Sequence, residues 1–315
     1  FYRGEIARKF AEDSRSQGGY LTREDFENYR VIERNPLVVP YRDYEICTNP
    51  PPSAGGSLVA FTLKMMEKHK LQKTDFGSAE HLNLLVNAMR QTYLAREEKF
   101  DPNVYQPDVS DQFFDKAYLE YRREHLKRNA TKRGSTTHFN VADERGNIAS
   151  ITTSNGEGSG YAIPETDIML NNMLGEEDLN PNGFHQWENN KRVASMMSPT
   201  ILLKNNQPVL ATGTGGANRI RSVVSQVISN HVDFKMPLEE NIRSPRLHWE
   251  AGKLDIEPEF NPDFISQVNT SEELETHIWE EKSFYFGGAH SIGIDEKGNL
   301  TGVGDDRRAG ASITV

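Results

Sequence analysis

Residues 135–142, Ser-Thr-Thr-His-Phe-Asn-Val-Ala, decide how the rest of this 315-residue chain is interpreted. Two adjacent hydroxyl residues, Thr136 and Thr137, stand at the start of a predicted β-strand. A cut between Ser135 and Thr136 would give Thr136 a free α-amine, whose ordinary pKa of about 7.7–8.0 lets it accept the hydroxyl proton near neutral pH. A Thr-Thr pair is also ordinary strand composition. Even so, the stretch suggests a precursor that cuts itself to become an enzyme.

The sequence around this stretch predicts hairpins and long helices. The strands are predicted in pairs, at 38–47, at 137–142 and 148–153, at 198–203 and 209–212, and at 291–294 and 300–303. The helices are predicted from their apolar faces and end signals, at 5–17, 57–69, 78–98, 116–127 and 220–232. Mostly antiparallel hairpins with long helices predict an α+β fold, in which helices cover the sheets.

Charge and composition limit the classes of function. The chain carries 36 Lys and Arg against 46 Asp and Glu, and this net charge of −10 argues against nonspecific nucleic-acid binding. Mean hydropathy is −0.68, and no apolar run approaches the roughly 20 residues that span a bilayer. Cys47 is the single cysteine, and the nine histidines show no metal-ligand spacing. We therefore expect no disulfide within the chain, no metal and no other cofactor.

A glycine-rich stretch at 213–219, Gly-Thr-Gly-Gly-Ala-Asn-Arg, follows a predicted strand and opens a predicted helix. Backbone N–H groups at such a helix start suit a phosphate, or the oxyanion of an acyl-transfer reaction. The stretch lacks the lysine and spacing of a P-loop, and it fits a dinucleotide fingerprint poorly. Two other glycine-rich stretches, at 156–160 and 287–288, are interpreted as turns.

Taken together, these motifs resemble the γ-glutamyltranspeptidase family of N-terminal-nucleophile hydrolases. The matching stretches follow the family's order along nearly the whole chain: FYRGEIA from residue 1, PPPSAGG from 50, TTHFNVADERGNIAS from 136, SMMSPTI from 195, GTGGANRI from 213, RSPRLHWE from 243 and GDDR from 304. The resemblance implies an αββα sandwich of two stacked, mainly antiparallel sheets covered by helices.

The resemblance also implies a precursor that is cleaved into a large and a small subunit. Residues 1–135 would be the C-terminal part of the large subunit, and residues 136–315 the small, catalytic subunit that starts at the nucleophile. Together they would form one αββα domain. The opening residues look like the entry to a helix already inside a fold, so we expect the chain to be a mature product or a fragment.

The resemblance assigns catalytic roles to five residues. Thr136 would be the nucleophile, and Thr137 would help to orient its amine. Ser154 would hydrogen-bond the nucleophile. Gly215 and Gly216 would form the oxyanion hole, although an ungapped alignment shifts this pair one residue onward.

The expected substrate contacts depart from the usual family pattern. Ser195 remains from a usual pair of serines, but Met196 follows it. Met173 stands where a glutamine is usual, Glu176 stands near the usual acid, and a shortened loop carries Asn155. These changes weaken the grip on a free α-ammonium group, which needs carboxylate or amide partners. A glutamate inside a γ-linked polymer has no free α-ammonium group to grip.

Such a polymer keeps a carboxylate on every unit, and its recognition calls for arginines. Arg219 and Arg307 are the preferred candidates because they lie in motifs next to the predicted site. Simple surface solvation is preferred for Arg221, Arg243 and Arg308. The hypothesis is a threonine acyltransferase or hydrolase that resembles the family's bacterial poly-γ-glutamate capsule depolymerase branch.

The implied partners are a γ-glutamyl polymer or peptide, an amine acceptor such as a cell-wall amine, or water, and the missing N-terminal portion of the large subunit. No nucleic acid or membrane span is expected, and the resemblance implies an extracellular or cell-surface location in a bacterium. A glutathione-type γ-glutamyltranspeptidase or hydrolase is the nearest alternative. A catalytically silent, polymer-binding homologue is the alternative from another class. A glycosidase gains little support, because no pair of carboxylates stands out.

Overall fold

The structure is a computed structural model, and it describes residues 1–124, 136–176, 179–180, 182–268 and 275–315. The chain divides into two compact units. The smaller unit comprises Phe1–Asn35 and Asn155–Met173, and the larger unit comprises Pro36–Ser154 and Leu174–Val315. The predicted subunit boundary at 135/136 is a division of another kind, and it stays a prediction.

The helices and strands alternate along the chain. The α-helices in the described ranges are α1 (Glu5–Ser16), α2 (Arg23–Asn28), α3 (Ala54–Met66), α4 (Ala79–Ala95), α5 (Val109–Phe113), α6 (Lys116–Glu124), α7 (Arg219–Val232), α8 (Leu238–Arg243) and α9 (Pro262–Ile265). The β-strands there are β1 (Leu37–Tyr41), β2 (Tyr44–Thr48), β3 (Thr136–Ala142), β4 (Ile148–Ser154), β5 (Ala162–Ile163), β6 (Ile168–Met169), β7 (Thr200–Lys204), β8 (Gln207–Gly213), β9 (Leu247–Glu250), β10 (Lys253–Ile256), β11 (Glu275–Ile278), β12 (His290–Ile294) and β13 (Leu300–Val303). Five of these strands, β5, β6 and β9 to β11, were not predicted from the sequence.

The smaller unit is organised around α1. Phe10 of this helix is buried and meets the ring of Phe26 on α2 edge to face, with ring centroids 5.1 Å apart. A capping box begins α2: the Thr22 hydroxyl accepts a hydrogen bond from the Asp25 N–H, and the Asp25 carboxylate accepts one from the Thr22 N–H. The short antiparallel hairpin of β5 and β6 belongs to the same unit.

A six-stranded sheet with the order β1-β2-β7-β8-β12-β13 forms the centre of the larger unit, and all its neighbouring strands are antiparallel. Helices α3, α4 and α7 pack together and share one hydrophobic core with the sheet. Leu202 of β7 lies opposite Leu210 of β8, and both side chains are fully buried in this core. The helices therefore cover one face of the sheet.

The hairpin of β3 and β4 packs on the other face of the sheet. Successive side chains of a strand point to opposite faces, so Gly213 faces away from the core that Leu210 joins. The ring of His138 lies against Gly213, where an added Cβ would come within 2.3 Å of its Cε1 atom. This layering confirms the predicted α+β class with mainly antiparallel sheets. The predicted nucleophile, Thr136, lies in the hairpin layer.

A small third sheet has the order β11-β10-β9, with β10 antiparallel to β9 and parallel to β11. Trp249 of β9 is buried and meets the ring of Tyr93 on α4 edge to face at 5.8 Å. This contact ties the small sheet to the helix layer. In the portions of the chain that the structure describes, every helix is too short or too polar to cross a bilayer.

Candidate active site

Thr136 and Ser154 face each other across the first pair of the β3–β4 hairpin. Their hydroxyl oxygens, Oγ1 and Oγ, lie 3.1 Å apart, within hydrogen-bond distance. Both residues are partly buried. The predicted cut joins Thr136 to Ser135, and Ser135 lies outside the described residues. The hairpin register thus brings two of the predicted catalytic hydroxyls together.

The loop between β8 and α7 runs directly against the backbone of Thr136. A Cβ atom on Gly215 would lie 1.8 Å from the carbonyl oxygen of Thr136, so only glycine permits this approach. Gly216 has a φ of +129°, which also favours glycine. Both glycines are buried, and the hydrogen bonds found among the described residues include none donated by either amide. Two buried backbone donors beside Thr136 therefore have no hydrogen-bond partner among the described residues.

The Gly287–Gly288 turn supports this loop. The Gly288 N–H donates to Oγ1 of Thr214 at 2.8 Å, and the same hydroxyl donates to the carbonyl of Gly215 at 2.8 Å. Gly287 has a φ of +77°, and a Cβ there would come within 2.4 Å of the Thr214 hydroxyl. The sequence predicts only a turn at this stretch, and the adjacent pair of glycines is its one signal of a close approach.

Arg308 is the guanidinium that contacts Thr136. Its Nη1 donates to the Thr136 carbonyl at 3.1 Å, and its Nη2 donates to the carbonyl of Phe284 at 3.2 Å. Its Nε is buried without a hydrogen-bond partner, and no carboxylate of the described residues forms an ion pair with it. Burial, together with the nearby charge of Arg219, lowers the pKa of Arg308. The surface role preferred for Arg308 from the sequence is therefore wrong.

The guanidinium of Arg307 forms all its hydrogen bonds with groups inside the protein. Its Nε and Nη2 donate to the two carboxylate oxygens of Glu257 at 2.6 and 2.5 Å, and its Nη1 donates to Asp305 at 3.2 Å. The carbonyls of Ile242 and Ser244 take its remaining hydrogen bonds at 3.0 and 2.9 Å. Since a guanidinium has five N–H donors, none is left for a substrate. Substrate binding by Arg307 stays a prediction, and the geometry favours Arg308 for that role.

The two neighbouring arginines give a matched pair of predictions. Arg307→Met is expected to lower the free energy of unfolding by about 3–5 kcal/mol, because Glu257 and Asp305 lose a buried partner. Arg308→Met is expected to change that free energy by less than about 1 kcal/mol and to lower kcat/KM roughly 10- to 100-fold. Denaturant unfolding and steady-state kinetics of both variants test this. A stable Arg307→Met protein, or an unfolded Arg308→Met protein, would contradict it.

The other candidate arginines differ in burial. Arg219, the first residue of α7, is buried, stacks 4.5 Å from the centroid of the Tyr285 ring and donates to the Tyr285 carbonyl at 3.1 Å. Arg221 is also buried and pairs with Glu250 at 3.1 Å, so the surface position expected for it is wrong. Arg243 is exposed, as expected. Arg219 is therefore the buried arginine that stands directly after the glycine loop.

Thr137 and Ser195 lie in different surroundings from Thr136. Thr137 is exposed, and the alternation of β3 turns its side chain to the face opposite Thr136. The Ser195 carbonyl accepts the N–H of Ala54 at 2.8 Å at the start of α3, and its hydroxyl accepts the N–H of Met197 at 3.1 Å. The predicted roles of Thr137 and Ser195 stay predictions.

Glu176 and Asn155 belong to different units. The carbonyl of Glu176, in the larger unit, accepts a hydrogen bond from the side chain of Asn180 at 2.6 Å. Asn155 belongs to the smaller unit, where its carbonyl accepts the N–H of Gly158 at 2.9 Å. Substrate binding by these two residues also stays a prediction.

His138 anchors the hairpin that carries Thr136, a role that the sequence analysis missed. Its Nδ1 lies 2.8 Å from the hydroxyl of Thr152, and its Nε2 lies 3.2 Å from Oδ1 of Asn140. The Asn140 amide in turn donates to the carbonyl of His290 at 2.8 Å. Burial lowers the pKa of His138 to about 4, so the ring is neutral near pH 7. A neutral imidazole with a hydrogen bond at each ring nitrogen therefore holds the hairpin on the sheet.

Comparisons with known proteins place the whole chain beside one family. The family model described as gamma-glutamyltranspeptidase matches residues 1–315. The glutathione hydrolase proenzyme of Bacillus subtilis (strain 168) is 30% identical over 348 residues, which cover 100% of this chain and 58% of the relative. The capsule biosynthesis protein CapD proenzyme of Bacillus anthracis is 27% identical over 314 residues, which cover 98% of this chain and 57% of the relative. The chain thus spans just over half the length of these relatives.

A solved structure extends the comparison to the fold. The crystal structure of cephalosporin acylase from Bacillus halodurans matches 99% of this chain and 58% of its own, with a TM-score of 0.84 and 26% sequence identity. The likeness confirms the predicted fold, a sandwich of the N-terminal-nucleophile hydrolase type. Because the family model matches every residue from 1 to 315, this chain belongs to the gamma-glutamyltranspeptidase family.

Proposed function

We propose that this chain is the nucleophile-bearing part of a self-processing threonine acyltransferase or hydrolase that cleaves γ-glutamyl amide bonds. The observation that carries the proposal is the grouping at Thr136: its hydroxyl lies 3.1 Å from Ser154, and Gly215 passes directly against its carbonyl. Cleavage between Ser135 and Thr136 would supply the α-amine that the hydroxyl needs as a base. Without that cut, no titratable base of the described residues hydrogen-bonds the Thr136 hydroxyl.

The reaction then proceeds in two steps. The α-amine of Thr136 accepts the hydroxyl proton as Oγ1 attacks the γ-amide carbonyl carbon, and the amides of Gly215 and Gly216 donate to the oxyanion. The C–N bond breaks as the ammonium group returns its proton to the leaving nitrogen, which leaves a γ-glutamyl ester on Thr136. Water or an amine acceptor attacks this ester and restores the hydroxyl. Ser154 keeps Oγ1 in place throughout.

The substrate that we propose is poly-γ-glutamate. Arg308 is a partly buried guanidinium beside Thr136, has no ion-pair partner in the described part of the chain, and suits the carboxylate that every unit of this polymer carries. The charge of Arg219 is close enough to lower the pKa of Arg308, so a polyanion is favoured here. One relative is named for capsule biosynthesis. An extracellular or cell-surface location and a cell-wall amine acceptor belong to the same proposal.

A glutathione-type γ-glutamyltranspeptidase or hydrolase is the second candidate. The relative that is 30% identical to this chain is named a glutathione hydrolase proenzyme. Ser195 and Glu176 also remain from the usual contacts to a free amino acid. A catalytically silent, polymer-binding homologue is disfavoured, because it has no need of the close approach between Gly215 and Thr136.

Competing substrates separate these candidates. The complete protein is incubated with poly-γ-glutamate and, separately, with γ-glutamyl-p-nitroanilide, and the released oligomers and nitroaniline are measured. We expect glutamate oligomers to form and kcat/KM for the polymer to exceed that for the small amide. Thr136→Ala serves as the inactive control in both assays. A strong preference for the small amide would contradict poly-γ-glutamate as the substrate. No turnover of either substrate would favour the catalytically silent homologue.

A further inference from the structure

The loop between β8 and α7 contains a buried hydroxyl to which the proposed reaction assigns no role. Thr214 stands between Gly213, the last residue of β8, and Gly215 of the proposed oxyanion hole. Thr214 is 0% exposed, so a substrate in the site does not contact it. Any effect of Thr214 on the reaction must therefore pass through the protein groups that its hydroxyl bonds.

Two hydrogen bonds fix the direction of the Thr214 hydroxyl. The Gly288 N–H donates to Oγ1 at 2.8 Å, and Oγ1 donates to the carbonyl oxygen of Gly215 at 2.8 Å. Among the described residues, no other donor bonds the Gly215 carbonyl. Since a hydroxyl has one proton to donate, this proton is directed at Gly215, and the orientation of the carbonyl depends on Thr214.

The orientation of the Gly215 carbonyl decides where the next N–H points. The peptide bond between Gly215 and Gly216 is trans, and in a trans peptide the C=O and the following N–H point in opposite directions. Thr214 holds the carbonyl, so the Gly216 N–H points away from Thr214, where it has no acceptor among the described residues. The Gly216 carbonyl accepts the N–H of Arg219 at 3.0 Å, which fixes the other peptide of Gly216.

We propose that Thr214 is a positioning residue, whose hydroxyl sets the direction of the Gly216 N–H that donates to the oxyanion. This inference rests on the proposed acyl-transfer function. The two bonds that run from Gly288 through Thr214 to Gly215 hold the donor in place before a substrate binds. Donors that are fixed in advance make an oxyanion hole effective, because nothing has to reorganise as the charge develops.

Thr214→Val tests the proposal, because valine has nearly the shape of threonine and forms no side-chain hydrogen bond. With γ-glutamyl-p-nitroanilide and the complete protein, we expect kcat to fall about 10²-fold and KM to stay within about threefold, the pattern of a lost oxyanion donor. Thr214→Ser keeps the hydroxyl and should retain kcat within about threefold. Rates are expressed per mole of cut protein, measured by intact mass, so that slower self-cleavage is not counted as slower turnover.

A matched control is available in the helix layer. Thr92 of α4 is also 0% exposed, and its hydroxyl donates to the carbonyl of Ala88 at 2.8 Å. Thr92→Val therefore removes an equally buried, bonded hydroxyl outside the site, and it should keep kcat within about twofold. Thr214→Ala is a second variant without the hydroxyl at the site, and it should show the same loss of kcat as Thr214→Val.

Crystal structures of the variants give a readout that needs no activity. We expect the Gly215 carbonyl to turn away from residue 214 in Thr214→Val and to keep its direction in Thr214→Ser. An unchanged peptide in Thr214→Val, full kcat in that variant, or an equal loss in Thr214→Ser would each overturn the proposal. Failure of both hydroxyl-free variants to fold would also overturn it, since the hydroxyl would then serve stability.

Failure of the proposed function gives a different result. An unmodified protein that turns over no γ-glutamyl substrate, or a Thr136→Ala protein that keeps full activity, would contradict the proposed function. The direction of the Gly215 carbonyl in the crystal structures would still decide whether Thr214 sets this peptide.

Discussion

Replacing Thr136 by alanine is expected to leave the chain in one piece and to lower turnover of γ-glutamyl substrates by roughly 10⁴-fold or more. Alanine removes the hydroxyl that we propose performs both the self-cleavage and the acyl transfer. Intact-mass spectrometry of the freshly folded complete protein measures the cut. Fragments that end at Ser135 and begin at Thr136 should form in the unmodified protein only. Thr136→Ser keeps the hydroxyl and the potential α-amine, and this control should still be cut.

The two results bear on different parts of the proposal. Cleavage of Thr136→Ala at the same bond would show that another group performs the cut, and it would remove the case for a self-processing threonine. An unmodified complete protein that stays uncut yet turns over substrate would show that no N-terminal amine is needed. Either outcome contradicts the assignment of Thr136 as nucleophile and base together.

Gly215→Ala is expected to lower kcat about 10²- to 10³-fold, the usual effect of losing one oxyanion-hole donor. The new Cβ would lie 1.8 Å from the Thr136 carbonyl oxygen and 2.6 Å from its carbonyl carbon, so the loop must move. That movement displaces the amides of Gly215 and Gly216 from the site. Kinetics with a γ-glutamyl anilide measure the effect.

A matched glycine serves as the control. At Gly175, an added Cβ would meet no atom within 4 Å, and its φ lies outside the region that favours glycine. Gly175→Ala should therefore keep kcat within about twofold of the unmodified protein, as is usual for surface substitutions. If Gly215→Ala also keeps its kcat, the glycine loop does not approach Thr136 in solution as it does here.

Local sequence signals were enough to predict the β3–β4 hairpin. Alternation over 137–142 and 148–153 and a turn between them set the pairing, and the observed register places Ser154 opposite Thr136. The strands of the small sheet were missed for two reasons. β9 and β10 form a local hairpin, and its turn signal at Ala251-Gly252 was overlooked. β11 pairs in parallel with β10 from beyond α9 in the chain, and such a connection has no hairpin turn between the two strands.

The start of α3 shows a second limit of local signals. The predicted helix at 57–69 starts after Gly55 and Gly56, yet α3 begins at Ala54 and includes both. A Cβ on Gly55 would lie 2.1 Å from the carbonyl oxygen of Met196, and one on Gly56 would lie 2.5 Å from that of Asn49. The glycines are there for close packing, and a sequence does not distinguish this from a helix break.

The adjacent Arg307 and Arg308 show why the site could be predicted only in part. Both residues stand in the same motif, and the sequence analysis preferred Arg307. The turn that Asp305 begins sends one guanidinium inward to Glu257 and the other to Thr136. Burial alone would raise the pKa of Asp305, but Arg246 and Arg307 lower it to about 2, so this carboxylate is ionised near neutral pH. Only tertiary contacts distinguish the role of Arg307 from that of Arg308.

The residues that contact Thr136 at the site lie on one side of it in the sequence. Ser154, Gly215 and Arg308 all lie C-terminal to it. A cut before Thr136 would therefore sever none of these three contacts. On this view, cleavage adds a charged α-amine to Thr136 and leaves its position unchanged, because the three contacts lie within the C-terminal piece. The uncut precursor would be inactive because it lacks the α-amine that accepts the proton, although Oγ1 of Thr136 would already be in position.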